Sequence, residues 1–158
     1  MTIGVVSDTH IPVRVSQLPE ALVRAFRKVD IIMHAGDFVS FEAYEALRQL
    51  SRLEAVAGNM DDSELVSLLP SKKEIAVDGL TIGLIHGWGG PADLPGRMRA
   101  QFSSDIDCIV FGHSHVPYTR KEGQTLLFNP GSPVFSPNQT FGLLMVENGV
   151  ISGEIIPC

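Results

Sequence analysis

The chain has 158 residues, 44% of them apolar and 19% charged, with a formal net charge of −6. That length suits one domain with a core of its own, and the composition is that of a compact globular protein, not a disordered chain. The acidic balance and scattered basic residues argue against a dedicated nucleic-acid surface, and no run approaches the roughly 20 apolar residues that span a bilayer.

In chain order, Ile3 to Val6 is a short continuous apolar run, as expected of a strand buried on both faces. Leu18, Leu22, Phe26 and Val29 recur at helical spacing and predict an amphipathic helix. Ile31-Ile32-Met33 reads as a second strand, Phe41 to Leu50 as a second helix with Ser40 as its N-cap, and Leu53 to Ala57 as a third strand. This βαβαβ order predicts a parallel sheet layered with helices. Asp61 and Asp62 read as capping acids for a helix from Ser63 to Leu69.

After Pro70 the pattern changes. Asp78-Gly79 and Asn148-Gly149 are two-residue hairpin signals, flanked by Glu74 to Val77 and Leu80 to Ile85, and by Phe141 to Val146 and Val150 to Ile156. Between them lie a short helix over Leu94, Met98 and Phe102, a strand from Asp107 to Phe111, and another from Thr125 to Phe128. The expected fold is α/β: an αββα sandwich, two mixed β-sheets flanked by helices, in a single domain over 1–158. Cys108 and Cys158 do not form a disulfide framework, and Cys108 reads as a small buried hydrophobe. The opening MTIGVVSDTH has neither the basic region nor the long apolar stretch of a signal peptide. A cytoplasmic protein with no membrane association is expected.

Polar clusters fall where strands end: Asp8-Thr9-His10, Gly36-Asp37, Gly58-Asn59, His86-Gly87 and Gly112-His113-Ser114-His115. In α/β sheets, ligands bind at the carboxyl ends of strands, where loops converge. Asp8, His10, Asp37, Asn59, His86, His113 and His115 are therefore the candidate metal ligands. Oxygen and imidazole donors without thiolates suit divalent Mn, Fe, Ni, Co or Zn. Seven donors exceed what one ion takes, so two ions sharing a carboxylate is the natural arithmetic. Such a pair clamps a phosphoryl group and lowers the pKa of bound water. Each cluster alone has an ordinary explanation: Gly-Asp and Gly-Asn are usually turn chemistry, and a lone His is usually a satisfied core or surface residue. All five in order would need five coincidences.

The order DxH, GD, GN, H, GHxH resembles the calcineurin-like metallophosphoesterase superfamily. The short length, His34-Ala35-Gly36-Asp37 and Asn129-Pro130-Gly131-Ser132 are similar to its small single-domain phosphodiesterase branch. The resemblance runs from Asp8 to Ser132 and implies a four-layer αββα fold. It implies one ion held by Asp8, His10, Asp37 and His115, and a second by Asp37, Asn59, His86 and His113, with Asp37 bridging and Mn the leading metal. It also implies hydrolysis of a small phosphodiester by a hydroxide shared between the ions, with Asn59 and His86 near the phosphate. A phosphomonoesterase on the same site is one alternative. The other is a non-catalytic docking scaffold like the branch's retromer subunit, whose metal site is degraded; here every ligand position is intact. Small members of the branch commonly associate, which leaves a homo-oligomer open.

One departure is informative. Larger relatives carry a histidine directly after the Asn to protonate the leaving group, and Met60 stands here. This predicts a preference for activated aryl leaving groups. Trp88, in a loop rich in Gly and Pro, reads as a wall of the leaving-group pocket or as packing against the sheet. His34 reads equally as a brace behind the ligands or as core, and Asn129 to Ser132 as a structural turn.

Overall fold

The continuous apolar runs become the central parallel strands of two sheets. The computed structural model describes residues 1–135 and 137–158. Its elements are β1 (Thr2–Val6), α1 (Glu20–Phe26), β2 (Ile31–His34), α2 (Phe41–Arg48), β3 (Arg52–Ala55), α3 (Ser63–Leu68) and β4 (Lys72–Val77). There follow β5 (Leu80–Ile85), α4 (Leu94–Arg99), β6 (Cys108–Val110), β7 (Tyr118–Glu122), β8 (Thr125–Asn129), β9 (Thr140–Glu147) and β10 (Val150–Pro157). The first sheet has the order β10-β9-β1-β2-β3 and the second β4-β5-β6-β8-β7. Both are mixed. β1, β2 and β3 run parallel, as do β5, β6 and β8, and the strands outside them are antiparallel hairpin partners.

Three apolar clusters define four layers. Ile3, Val5 and Met33 of the first sheet pack on Ile75, Leu84, Val110 and Phe128 of the second, forming the layer between sheets. The opposite faces are covered by helices: Leu22, Phe26, Ala43, Leu47 and Leu65 lie on the first sheet, Leu94 and Met98 on the second. A parallel strand buried on both faces has no polar side, which is why these strands read as unbroken apolar runs. The result is the αββα sandwich expected from the sequence.

Register sets the site. Val6 pairs with His34 and His34 with Ala55, so β1, β2 and β3 end level with one another. In the second sheet, Leu84 pairs with Val110 and Val110 with Phe128. Every loop that follows these strands therefore emerges on one edge of the sandwich.

Three local expectations need correction. The first helix is shorter than the Leu18–Val29 spacing suggests: Pro19 is its N-cap, and Leu18 and Val29 pack from its flanks. Ser40 does sit at the N-cap of α2, but its Oγ is buried and makes no hydrogen bond among the described residues. Strand β7 was not expected at all. It is an edge strand reading Tyr-Thr-Arg-Lys-Glu, mostly exposed, so it carries no apolar alternation to reveal it. Among the described residues, no helix is long and apolar enough to cross a membrane.

Candidate metal centre

The seven predicted ligands come from the ends of five strands and meet at one edge of the sandwich. Three of the five loops bend through the left-handed region at non-glycine residues on or near a candidate ligand: φ is 57° at Asp8, 46° at His10, 62° at Asp37, 82° at Val39, 70° at His113 and 58° at His115. Residues other than glycine avoid this region, and the β-branched Val39 does so most strongly. Such backbone strain persists only where surrounding bonds over-determine it, and it gathers at functional sites.

Each carboxylate turns one oxygen outward to a backbone N–H and one inward. Asp8 Oδ2 accepts from the His113 amide at 3.1 Å, leaving Oδ1 3.2 Å from His115 Nε2 and 3.9 Å from His10 Nε2. Asp37 Oδ1 accepts from the Met60 amide at 2.8 Å. Its Oδ2 stands between two imidazoles, 3.7 Å from His10 Nε2 and 3.4 Å from His86 Nε2. Donor atoms thus form two overlapping groups, Asp8-His10-His115 and Asp8-Asp37-His86. Burial alone would push the Asp8 carboxyl up, but the His10 and His115 side chains, with His86 further off, hold it well below the usual carboxylate range. Burial likewise opposes charge on His86, yet the Asp37 and Asp8 carboxylates and the Ala35 carbonyl together outweigh it and raise that pKa.

The second group extends to Asn59 and His113. Asn59 Oδ1 lies 3.1 Å from His86 Nε2 and 3.2 Å from His113 Nδ1. The outer nitrogens of both rings donate to carbonyls, His86 Nδ1 to Ala35 at 2.7 Å and His113 Nε2 to Gly89 at 2.9 Å. Carbonyls only accept, so the neutral rings carry their protons outward and turn lone pairs inward. Three acceptors then face one another, and a proton or a cation must lie among them. On the other side, Asp8 Oδ1 and His10 Nε2 are buried with no hydrogen-bond partner among the described residues. Such atoms are costly unless something absent from the protein satisfies them. The donor set therefore fits divalent cations.

Residues behind the ligands explain the rigidity, and the sequence hid most of them. His34 is fully buried and stacked on Phe38, ring centroids 3.4 Å apart. Its Nδ1 accepts from the Gly36 amide at 3.0 Å, so Nε2 donates to Thr9 Oγ1 at 3.2 Å. It ties the Asp8 and Asp37 loops together, and burial pushes its pKa well down. The pairing of Asp61 with Asp62 as capping acids is half wrong. Asp62 caps α3 through the Leu65 amide at 2.9 Å. Asp61 instead accepts from the Gly58, Val39 and Asp37 amides at 2.7, 2.8 and 3.3 Å, because the strained turn aims those N–H groups at it. The Asn129–Ser132 turn is structural, as expected: Asn129 Nδ2 donates to the Gly112 carbonyl at 2.9 Å, and Ser132 Oγ to the Asp8 carbonyl at 2.7 Å.

Gly112 is small for a packing reason. A Cβ there would collide with Ser7 Oγ and the Asp8 carboxylate. Gly112→Ala is expected to displace Asp8, costing about 1–3 kcal/mol of stability and weakening metal binding. Thermal denaturation with calorimetric metal titration checks this, and wild-type values in both would refute it.

Two clefts open on the centre. One, of about 320 Å³, is lined by His10, Asp37, Asn59, His113 and His115 together with Val13, Arg14, Met60 and Phe135. The other, of about 430 Å³, is lined by Asn59, His86, Trp88, Val66 and Lys72 among others. Asn59 belongs to both. Trp88 is 47% exposed and stands in the wall of the second cleft, not packed into the sheet. Arg14 and Phe135 carried no motif in the sequence, and only the fold brings them to the first cleft. A larger groove between α1 and α2, about 500 Å³, contains none of the predicted ligands.

The sequence model for the calcineurin-like phosphoesterase superfamily domain matches residues 1–149. The chain belongs to that superfamily. It is 36% identical over 159 residues to a probable metallophosphoesterase of Methanothermobacter thermautotrophicus, covering 99% of this chain and 92% of the relative. Among solved structures, the phosphoesterase fold seen here superposes on Vps29 from Chaetomium thermophilum with a TM-score of 0.80 at 21% identity, covering 99% and 97% of the two chains. It also superposes on a novel archaeal phosphodiesterase with a TM-score of 0.77 at 22% identity, covering 99% and 100%. Those two likenesses establish the shared fold. The superfamily is one of divalent-metal phosphoesterases, and the converging donors here are candidate metal-binding groups.

Proposed function

We propose that the protein hydrolyses small phosphodiesters at a centre of two divalent cations, Mn foremost, in the cytoplasm. Asp8, His10, Asp37 and His115 would hold one ion, and Asp37, Asn59, His86 and His113 the other, with Asp37 shared. When bound, two such ions supply a water-derived nucleophile near neutral pH and neutralise charge on the phosphoryl oxygens. The observation that carries the diester reading is the pair of clefts meeting at Asn59. A diester has two substituents to place, one on each side of the phosphorus, whereas a monoester has only one. The fold-level likeness to an archaeal phosphodiesterase agrees with this reading.

The chain's own groups set the limits of the chemistry. Asn59 Oδ1 faces His86 and His113, so its Nδ2 is the group left to donate to a phosphate oxygen. His86 Nδ1 is committed to the Ala35 carbonyl, which fixes the ring and keeps Nε2 turned inward. Met60 is 53% exposed in the wall of the first cleft and offers no proton there. Leaving groups that need no protonation are therefore favoured. Met60→His is expected to raise kcat on a dialkyl diester, whose leaving group is an alkoxide, by about 10–100-fold, part of the usual gain from general-acid help, with little gain on a bis-aryl diester. Equal gains on both would refute the role assigned to this position.

The test of the function is a comparison of bis(p-nitrophenyl) phosphate with p-nitrophenyl phosphate, each assayed with Mn²⁺, Ni²⁺, Co²⁺ and Zn²⁺. The proposal expects the diester to have the higher kcat/KM. Preference for the monoester favours a phosphomonoesterase, and bound metal with no turnover of either ester favours a docking scaffold.

A further inference from the structure

The first cleft holds an arrangement that metal binding does not explain. Phe135 stacks on His115 with ring centroids 4.0 Å apart and an interplanar angle of 24°, and meets His10 edge-on at 5.1 Å. On the same ring lies the Arg14 guanidinium, 4.8 Å from the centroid. Arg14 is the only Lys or Arg in this cleft among the described residues. Among the described residues it makes no ion pair, whereas Arg24, Arg48 and Arg52 are each paired with a glutamate. Its backbone is tied to the metal loop, since the Arg14 amide donates to the His10 carbonyl at 2.9 Å.

A guanidinium laid against an aromatic ring keeps its N–H edge free, and that edge matches an oxyanion in a two-pronged hydrogen bond. The ring also restrains a side chain that would otherwise lose rotamer freedom on binding. Position then decides which anion it meets. His10, Asp37, Asn59 and His115 surround the place of the scissile phosphate, and the Phe135 ring stands between His115 and Arg14. Arg14 is therefore aimed at a group one step removed from the phosphorus, on an ester substituent lying in the first cleft. Val13 and Met60, 68% and 53% exposed, give that cleft apolar walls for the body of the substituent.

We infer that Arg14, held in place by Phe135, is a specificity residue that selects phosphodiesters whose retained substituent carries a second anionic group. This rests on the phosphodiesterase reading, and the experiment separates the two. Kinetics would compare p-nitrophenyl esters of thymidylate with and without a second phosphate on the sugar. Calorimetry of the Mn²⁺-loaded protein would compare binding of thymidine bisphosphate and thymidine monophosphate.

The wild type should prefer the doubly anionic member by about 10–100-fold in kcat/KM and in affinity, the range of a charge-assisted hydrogen bond. Arg14→Ala should bring both ratios close to one, with Arg14→Lys intermediate because a point charge keeps attraction but loses the fork. Phe135→Leu should lower the ratios in part. Arg24→Ala, an exposed residue of α1, should keep the wild-type ratios. No preference in the wild type, or an unchanged preference in Arg14→Ala, overturns the inference. If neither ester is hydrolysed while the Arg14-dependent binding preference persists, the phosphodiesterase reading fails and the anion site stands.

Discussion

Asp37→Ala is expected to lower diester hydrolysis at least about 1000-fold, equal to about 4 kcal/mol of transition-state stabilisation. In the proposed centre each of the other ligands holds one ion, whereas the inward oxygen of Asp37 faces both His10 and His86. Its outward oxygen is held by the Met60 amide, which keeps the other turned inward. Asp37→Asn keeps the shape and removes the charge, and is expected to lose nearly as much. Steady-state kinetics with metal analysis of each variant checks this. A variant with wild-type turnover would rule out a shared Asp37. Removing Asp37 also leaves the Met60 amide without its acceptor, so each variant's melting temperature belongs beside its rate.

The second large effect is linkage between metal and pH. At 100 times its dissociation constant, a metal that binds only the folded protein adds about 2.7 kcal/mol. At roughly 2–4 °C per kcal/mol for a chain of this size, that is about 5–10 °C in Tm. The gain should shrink as pH falls, because protons compete for the inward nitrogen of His86. The sign reverses in metal-free protein. The His86 pKa is raised above its ordinary 6.5 in the folded state. Its contribution is therefore fully present below about pH 6.5 and is lost as pH rises through the folded value. Metal-free protein should lose this increment on the alkaline side, where the loaded protein gains most. Melting curves from pH 5.5 to 8.5, with and without Mn²⁺, test both statements. A metal-induced shift independent of pH would contradict imidazole ligation.

The candidate ligands stand out in the sequence because their signal is positional. A strand buried on both faces is a plain apolar run, and a polar residue just beyond it stands out, as Asp8, Asp37 and His86 do. The level register of β1, β2 and β3 then turns sequence neighbours of strand ends into spatial neighbours of one another. Supporting residues lack that signal. Asp61 resembles any acid before a helix, and only the left-handed turn at Asp37 and Val39 makes it an acceptor for three amides. Arg14 and Phe135 lie 121 positions apart and belong to no local pattern, so their stacking depends on the closed fold. Edge strand β7 escaped notice for the reverse reason: it is exposed and buries too little to need a periodic sequence.

The central claim is that two ions act together on a phosphodiester. It is tested most directly by titrating Mn²⁺ into metal-free protein while measuring bound metal and bis(p-nitrophenyl) phosphate hydrolysis in the same sample. The account predicts that turnover follows occupancy of the second ion per chain, with little activity at one. Full turnover at one ion per chain, or two bound ions without diester hydrolysis, would contradict it.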